Sequence, residues 1–223
     1  MNFIDAHQLV MFIAAGWLLN LTPGPDVLYI VTNALRSGTR AGIVAGLGIT
    51  AGCFVHVFAA AVGVGALLAA SATAFTVLKW IGAAYLMWMG VRMLLSKPGA
   101  DNGNTAALAA AQAAPAQHTP LRKVFLGGFW TNVLNPKVAI FFLAFVPQFI
   151  APGADNKALA FVLLGVLFNL NAIPVNTGWA LAASWMARRA TAIQRGMHWL
   201  DRVAGAMFIG FGLKLAFTDQ PSA

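Results

Sequence analysis

Asn20-Leu21-Thr22-Pro23-Gly24-Pro25-Asp26 interrupts an apolar stretch that runs from residue 8 to residue 33, and Asn132-Val133-Leu134-Asn135-Pro136-Lys137 interrupts another, from 124 to 150. In both, an asparagine is followed within a turn by a polar residue and then a proline. A proline inside a helix removes one backbone hydrogen bond and clashes with the preceding turn, at about 3 kcal/mol in water, and lipid cannot solvate the freed carbonyls. Such a break must face protein or a water-filled cavity. Pro23-Gly24-Pro25 is a stronger interruption than a lone proline, since Gly24 is free to leave helical geometry and Pro25 suits the first position of a new helix. Asn135-Pro136 reads the same way, with Asn135 as N-cap.

Four further apolar windows, 42–70, 75–95, 158–187 and 199–217, bring the expected number of spans to six. The 223 residues are 60% hydrophobic and 9% charged, against roughly a quarter charged in a soluble domain. At about 20 residues per span, six spans leave no room for a soluble catalytic domain. The expected fold is all-α: a polytopic membrane protein with helices one and four broken. The formal net charge of +8 sits in short loops between apolar runs, which suits the negative cytoplasmic leaflet and argues against nucleic acid. Cys53 is the only cysteine, so no disulfide framework or thiolate metal site is expected. Met1 to Asp5 lack the basic start of a cleaved signal peptide, and the run beginning near Gln8 is read as the first span.

Residues 97–119, with Pro98-Gly99-Ala100-Asp101-Asn102-Gly103-Asn104 and Pro115, are too polar and interrupted to span. They divide the chain into a first unit (1–96), a linker loop (97–119) and a second unit (120–223), of three spans each. Ten of the fourteen Lys and Arg residues follow span one, surround the linker or follow span five, three lie on the opposite side, and Lys137 lies within a span. That bias predicts both termini outside and the linker in the cytoplasm. An odd number of spans per half makes the halves opposite in orientation, so the matching breaks, and the endings Trp88-Met89-Gly90-Val91-Arg92 and Gly210-Phe211-Gly212-Leu213-Lys214, predict two inverted repeats.

The residues able to carry chemistry cluster at the breaks. A broken helix can present free N–H groups at its second half to a substrate carboxylate; a kink serving packing alone is the other reading. The first break supplies Asn20, Thr22, Pro23, Gly24, Pro25 and Asp26, the second Asn132, Asn135, Pro136 and Lys137. Asp26 and Lys137 are the acid and base placed within spans, where an ionisable group costs at least about 2.5 to 3.5 kcal/mol and marks a pathway, a pair or a proton site. Asp26 favours the helix dipole and can be a cap, whereas Lys137 needs a partner or must snorkel. If the halves fold together, the two can meet. His56 can shuttle a proton or simply bond a carbonyl. Span five carries Asn169, Asn171, Pro174 as a third helix break, and Asn176, which line a route or bond helices together. The glycines of residues 42–48 suit close packing and fail as a phosphate loop. No metal-ligand cluster, nucleophile–base set or cofactor motif is found.

Taken together, Pro23-Gly24-Pro25-Asp26, Trp80-Ile81-Gly82-Ala83-Ala84-Tyr85-Leu86 with Gly90, Asn132-Val133-Leu134-Asn135-Pro136-Lys137 and Phe145-Val146-Pro147-Gln148-Phe149 resemble the LysE/RhtB family of amino-acid exporters over nearly the whole chain. The resemblance implies a secondary transporter that exports amino acids or related zwitterions across the bacterial inner membrane in exchange for protons, with six helices and no cofactor. Family members often carry further carboxylates in spans two and five, where this chain has His56 and asparagines. Asp26 and His56 are the proton-coupling candidates. A passive facilitator on the same scaffold is the alternative, and an intramembrane enzyme is disfavoured. The expected partners are the small-molecule substrate, protons and lipid; a homodimer is allowed but not required.

Overall fold

The computed structural model describes residues 6–70, 72–95, 119–150, 154, 156–186 and 193–217. Most of the linker and both chain ends therefore lie outside the described residues, as do the expectations about them. The described residues are helical, with no strand.

The first apolar stretch folds as α1 (Ala6–Leu21) and α2 (Pro25–Ser37), separated at the Pro-Gly-Pro. A residue before proline is pushed out of the helical region; two prolines two apart exclude both Thr22 and Gly24 from it. Gly24 is the N-cap of α2 and is fully extended, at φ −175° and ψ −171°, a conformation open to any residue. The freedom expected of Gly24 is thus not what the break requires. What it requires there is space, because a Cβ on Gly24 would stand 3.3 Å from Lys137 Nζ. After α2 the chain reverses through Gly38, whose φ of 85° favours glycine, into α3 (Thr39–Ala70), then α4 (Ala72–Leu94).

The second half opens with α5 (Leu121–Val133), which ends at Asn135-Pro136. Beyond it lie α6 (Pro136–Ile140), a π turn over Phe141–Phe145 and a 3-10 turn over Val146–Phe149. This continuation is bent by 49° from α5. α7 (Lys157–Met186) and α8 (Ile193–Phe217) complete the chain. The expected break at Pro174 is not present: α7 runs through it without interruption. Pro174 follows Ile173, which has no oxygen to cap a new helix, and no second proline or glycine adjoins it. One lost hydrogen bond inside a 30-residue helix does not break the helix.

By length and composition, α3 and α7 can each cross a membrane, and the bent α5–α6 run is long and apolar enough to be a third span if it crosses as one, or else a re-entrant loop. Their outer faces carry exposed Leu47, Val55, Phe58, Trp130, Leu163 and Leu181, far more apolar surface than a soluble monomer shows. α4 packs on α8, α3 lies between α5 and α7, and α1 and α2 lie against α7. The α3–α5 crossing is close because Gly48 and Gly52 meet the carbonyls of Phe125 and Phe129, while Gly128 meets that of Ala45.

Two apolar clusters result. The larger holds Leu19, Cys53, Val138 and Phe168 among a stack of phenylalanines; rings of Phe12, Phe141, Phe145 and Phe149 lie 5.0 to 6.2 Å apart. The smaller holds Ile30, Ala45, Ile49, Val124 and Ala180. Both breaks fall between them. The chain passes from the larger to the smaller cluster along α1–α2 and from the smaller to the larger along α5–α6.

Candidate functional site

A helix that stops leaves its last carbonyls without N–H partners and its first N–H groups without carbonyls. At the first break, Leu18 O is satisfied locally by Thr22 N at 2.9 Å and Thr22 Oγ1 at 2.6 Å. Leu19 O and Thr22 O are satisfied from the other half of the chain, by Lys137 Nζ at 3.0 and 3.2 Å. The ammonium therefore sits at the negative end of α1, where the helix dipole favours a cation. Lys137 is 5% exposed; it neither snorkels nor relies on its own helix, whose N-terminus repels it.

The reciprocal contact runs the other way. Asp26, one residue into α2, accepts a hydrogen bond at Oδ2 from Asn132 Nδ2, 2.9 Å away near the end of α5. The backbone carbonyl of Asn132 accepts from Asn135 N at 2.9 Å and from His56 Nε2 at 2.9 Å. Since a carbonyl only accepts, Nε2 carries the hydrogen. Asp26 and Lys137 are brought into one site and interact electrostatically, but each is held by neutral groups and no ion pair joins them.

The two second-half helices differ at their starts. Asn135 Oδ1 accepts from Lys137 N at 3.0 Å and caps α6, so that N-terminus is occupied. Gly24 has no side chain, and α2 has no side-chain cap. Of the two expected anion-facing helix starts, α2 alone is left open.

Around these breaks, buried polar atoms outnumber their partners. Asp26 Oδ1, Asn132 Oδ1, Asn135 Nδ2, Asn20 Nδ2 and both amide atoms of Asn169 make no hydrogen bond of good geometry within the protein, although the Asn135 side chain lies beside Asp26 and that of Asn169 beside Cys53. A buried polar group left unpaired costs about 1–3 kcal/mol, and native proteins tolerate few without a reason. Asn169, 3% exposed, faces the Cys53 thiol, which feels the Asp26 charge. The α7 asparagine thus joins the site through α3. Asn176 is two turns further on, against Gly46 and beside Ile30. Asn171 differs: its Oδ1 accepts from Trp17 Nε1 at 3.2 Å on the exposed side of α1 and α7, while its Nδ2 is buried without a partner. Pro174 is exposed on α7.

Sequence reasoning did not find the carbonyls of Leu19 and Thr22 as the partners of Lys137, nor the place of Cys53 between Asp26 and Asn169. A signal for the second was present, since Cys53 lies one turn from His56 on α3. Among the described residues no group of His, Cys, Asp and Glu could hold a metal ion.

A family model described as LysE type translocator matches residues 17–219. An uncharacterized membrane protein of Vibrio cholerae is 34% identical over 216 residues, 96% of this chain and 98% of the relative. A homoserine/homoserine lactone efflux protein of Salmonella typhimurium is 31% identical over 92% of this chain and 94% of its own. A leucine efflux protein of Enterobacter sp. is 26% identical over 92% and 93%. No solved structure matches the chain.

Proposed function

The chain belongs to the LysE type translocator family, is a membrane transporter rather than an enzyme, and on that premise we propose that it exports amino acids or related zwitterions from the bacterial cytoplasm by proton antiport. The relatives' names, efflux of homoserine, its lactone and leucine, support a small α-amino acid or analogue as cargo. The observation that carries the site is the surplus of buried, unpartnered donors and acceptors where the two breaks face each other.

A zwitterion complements that surplus. Its carboxylate suits the uncapped start of α2 and the amides of Asn20, Asn135 and Asn169; its ammonium suits Asp26 Oδ1 and Asn132 Oδ1. Thr22, Gly24 and Lys137 shape the same space, Asn176 lies on the route beyond it, and Asn171 lines the α1–α7 seam. Asp26 is our choice for the proton carrier, because its Oδ1 is the free oxygen of a buried carboxylate; His56, committed to the Asn132 carbonyl, ranks second.

The six-span, two-repeat architecture is supported by the opposite passage of the two broken helices between the clusters. With it go our placement of both termini outside and of the linker in the cytoplasm, in the inner membrane; a homodimer is compatible with this arrangement. Overproduction in a bacterium, followed by growth at inhibitory concentrations of single amino acids, tests the function. Tolerance to homoserine, leucine or a similar neutral amino acid, lost in Asp26→Asn, is the expected result. No change in tolerance to any amino acid, with the protein inserted, would contradict it.

A further inference from the structure

Lys137 is held in a way the transport of a zwitterion does not explain. Two of the three hydrogens of its ammonium are committed to the carbonyls of Leu19 and Thr22, it is nearly fully buried, and a Cβ at position 24 would stand 3.3 Å from its Nζ. Unwound carbonyls at the end of a half-helix are the ligands with which broken-helix transporters coordinate a free cation. Here the negative end of α1 is completed by the nearby Asp26 carboxylate, one of whose oxygens is buried and unpartnered. Carbonyl oxygens and helix dipole converge on one point, a tethered ammonium occupies it, and the carboxylate acts on it from beyond ion-pair distance.

We propose that the first break is a monovalent-cation site, formed by Leu19 O and Thr22 O with Asp26 alongside, and that Lys137 is the resident cation supplied by the chain itself. Lys137 is then a positioning residue. It neutralises the end of α1 and fixes the distance between the breaks without touching cargo. The spare capacity for a substrate carboxylate lies mainly with the uncapped start of α2 and the amides, since the lysine has two of its three hydrogens committed.

The proposal separates a charge from its tether and needs no substrate to test. Lys137→Ala should leave the carbonyl site with space for a small cation. Thermal unfolding of the purified variant is followed in choline, sodium, methylammonium and propylammonium chloride at equal ionic strength. At least one of the three small cations should raise its Tm by about 3 °C or more over choline, while wild type, its site already filled, should not respond. Asp26→Asn in the Lys137→Ala background should remove the response. The same Tm in all four salts, or an equal response from wild type, would overturn the proposal. Lys137→Gln covers the case in which the alanine variant does not fold, because it keeps an amide donor but no charge. It should insert and lose export at least tenfold; export at the wild-type rate would overturn the proposal even though the exporter reading stood.

Discussion

Asn132 serves both breaks at once, giving its side-chain N–H to Asp26 and its backbone carbonyl to Asn135 and His56. The two contacts separate by mutation. In Asn132→Leu the carbonyl keeps both donors, but Asp26 Oδ2 loses its hydrogen bond and the buried carboxylate is stranded. A cost of about 1–3 kcal/mol is expected, read as a lower Tm, together with at least a tenfold loss of export. Unchanged stability and transport would show that Asp26 does not depend on this bond. At this scale the sequence was informative about which residues matter. Asp26, Lys137, Asn132 and Asn135 stand out because each is costly inside an apolar run, and the structure buries all four. What each one touches was not legible. Lys137 bonds carbonyls 115 and 118 residues away, and backbone oxygens leave no mark in a sequence. Asn171 and Asn169 look alike in the chain, yet one meets Trp17 at the surface and the other faces Cys53.

Among the elements, three of the five prolines within the apolar stretches have three outcomes. Pro25 starts α2 after a second proline, Pro136 starts α6 after a capping asparagine, and Pro174 sits inside α7. Continuity is therefore decided by whether the neighbours can end one helix and begin another. Pro174→Ala restores a hydrogen bond in an unbroken helix and should keep export within about twofold of wild type, with equal or higher Tm. Replacing Pro23, Gly24 and Pro25 together by alanine should permit a continuous helix and abolish export while leaving insertion intact; export at wild-type rate would reduce the break to a kink. The glycines act through contact. A side chain on Gly128 would run into the Ala45 carbonyl at the α3–α5 crossing, so Gly128→Leu should prevent stable folding, seen as loss of the monodisperse protein after extraction. The helix windows themselves were readable to within about six residues, the largest miss being the start of α8, read at 199 and found at Ile193. Asymmetry between the breaks was not, because only the folded geometry shows that Asn135 caps α6 while nothing caps α2.

In the whole molecule, a polar layer lies between two apolar clusters, each broken helix crosses that layer in the opposite sense, and exposed Leu, Val, Phe and Trp side chains cover the outside. The composition made a membrane protein evident, since a chain 60% hydrophobic and 9% charged has too little polar surface for water. It was silent on the exchange of contacts between the halves, in which a cation from the second break closes the first and an amide from the second holds the acid of the first. That exchange puts the polar surplus at the centre, and alternating access around a fixed central site is the motion such a scaffold suits. The most direct test is concentrative transport by the purified protein in proteoliposomes, with labelled homoserine or leucine and a pH gradient imposed across the membrane. Substrate should accumulate against its gradient on the side from which protons leave, and Asp26→Asn should abolish that accumulation. Equilibration without accumulation, unaffected by the pH gradient, would contradict the account and make the protein a passive facilitator.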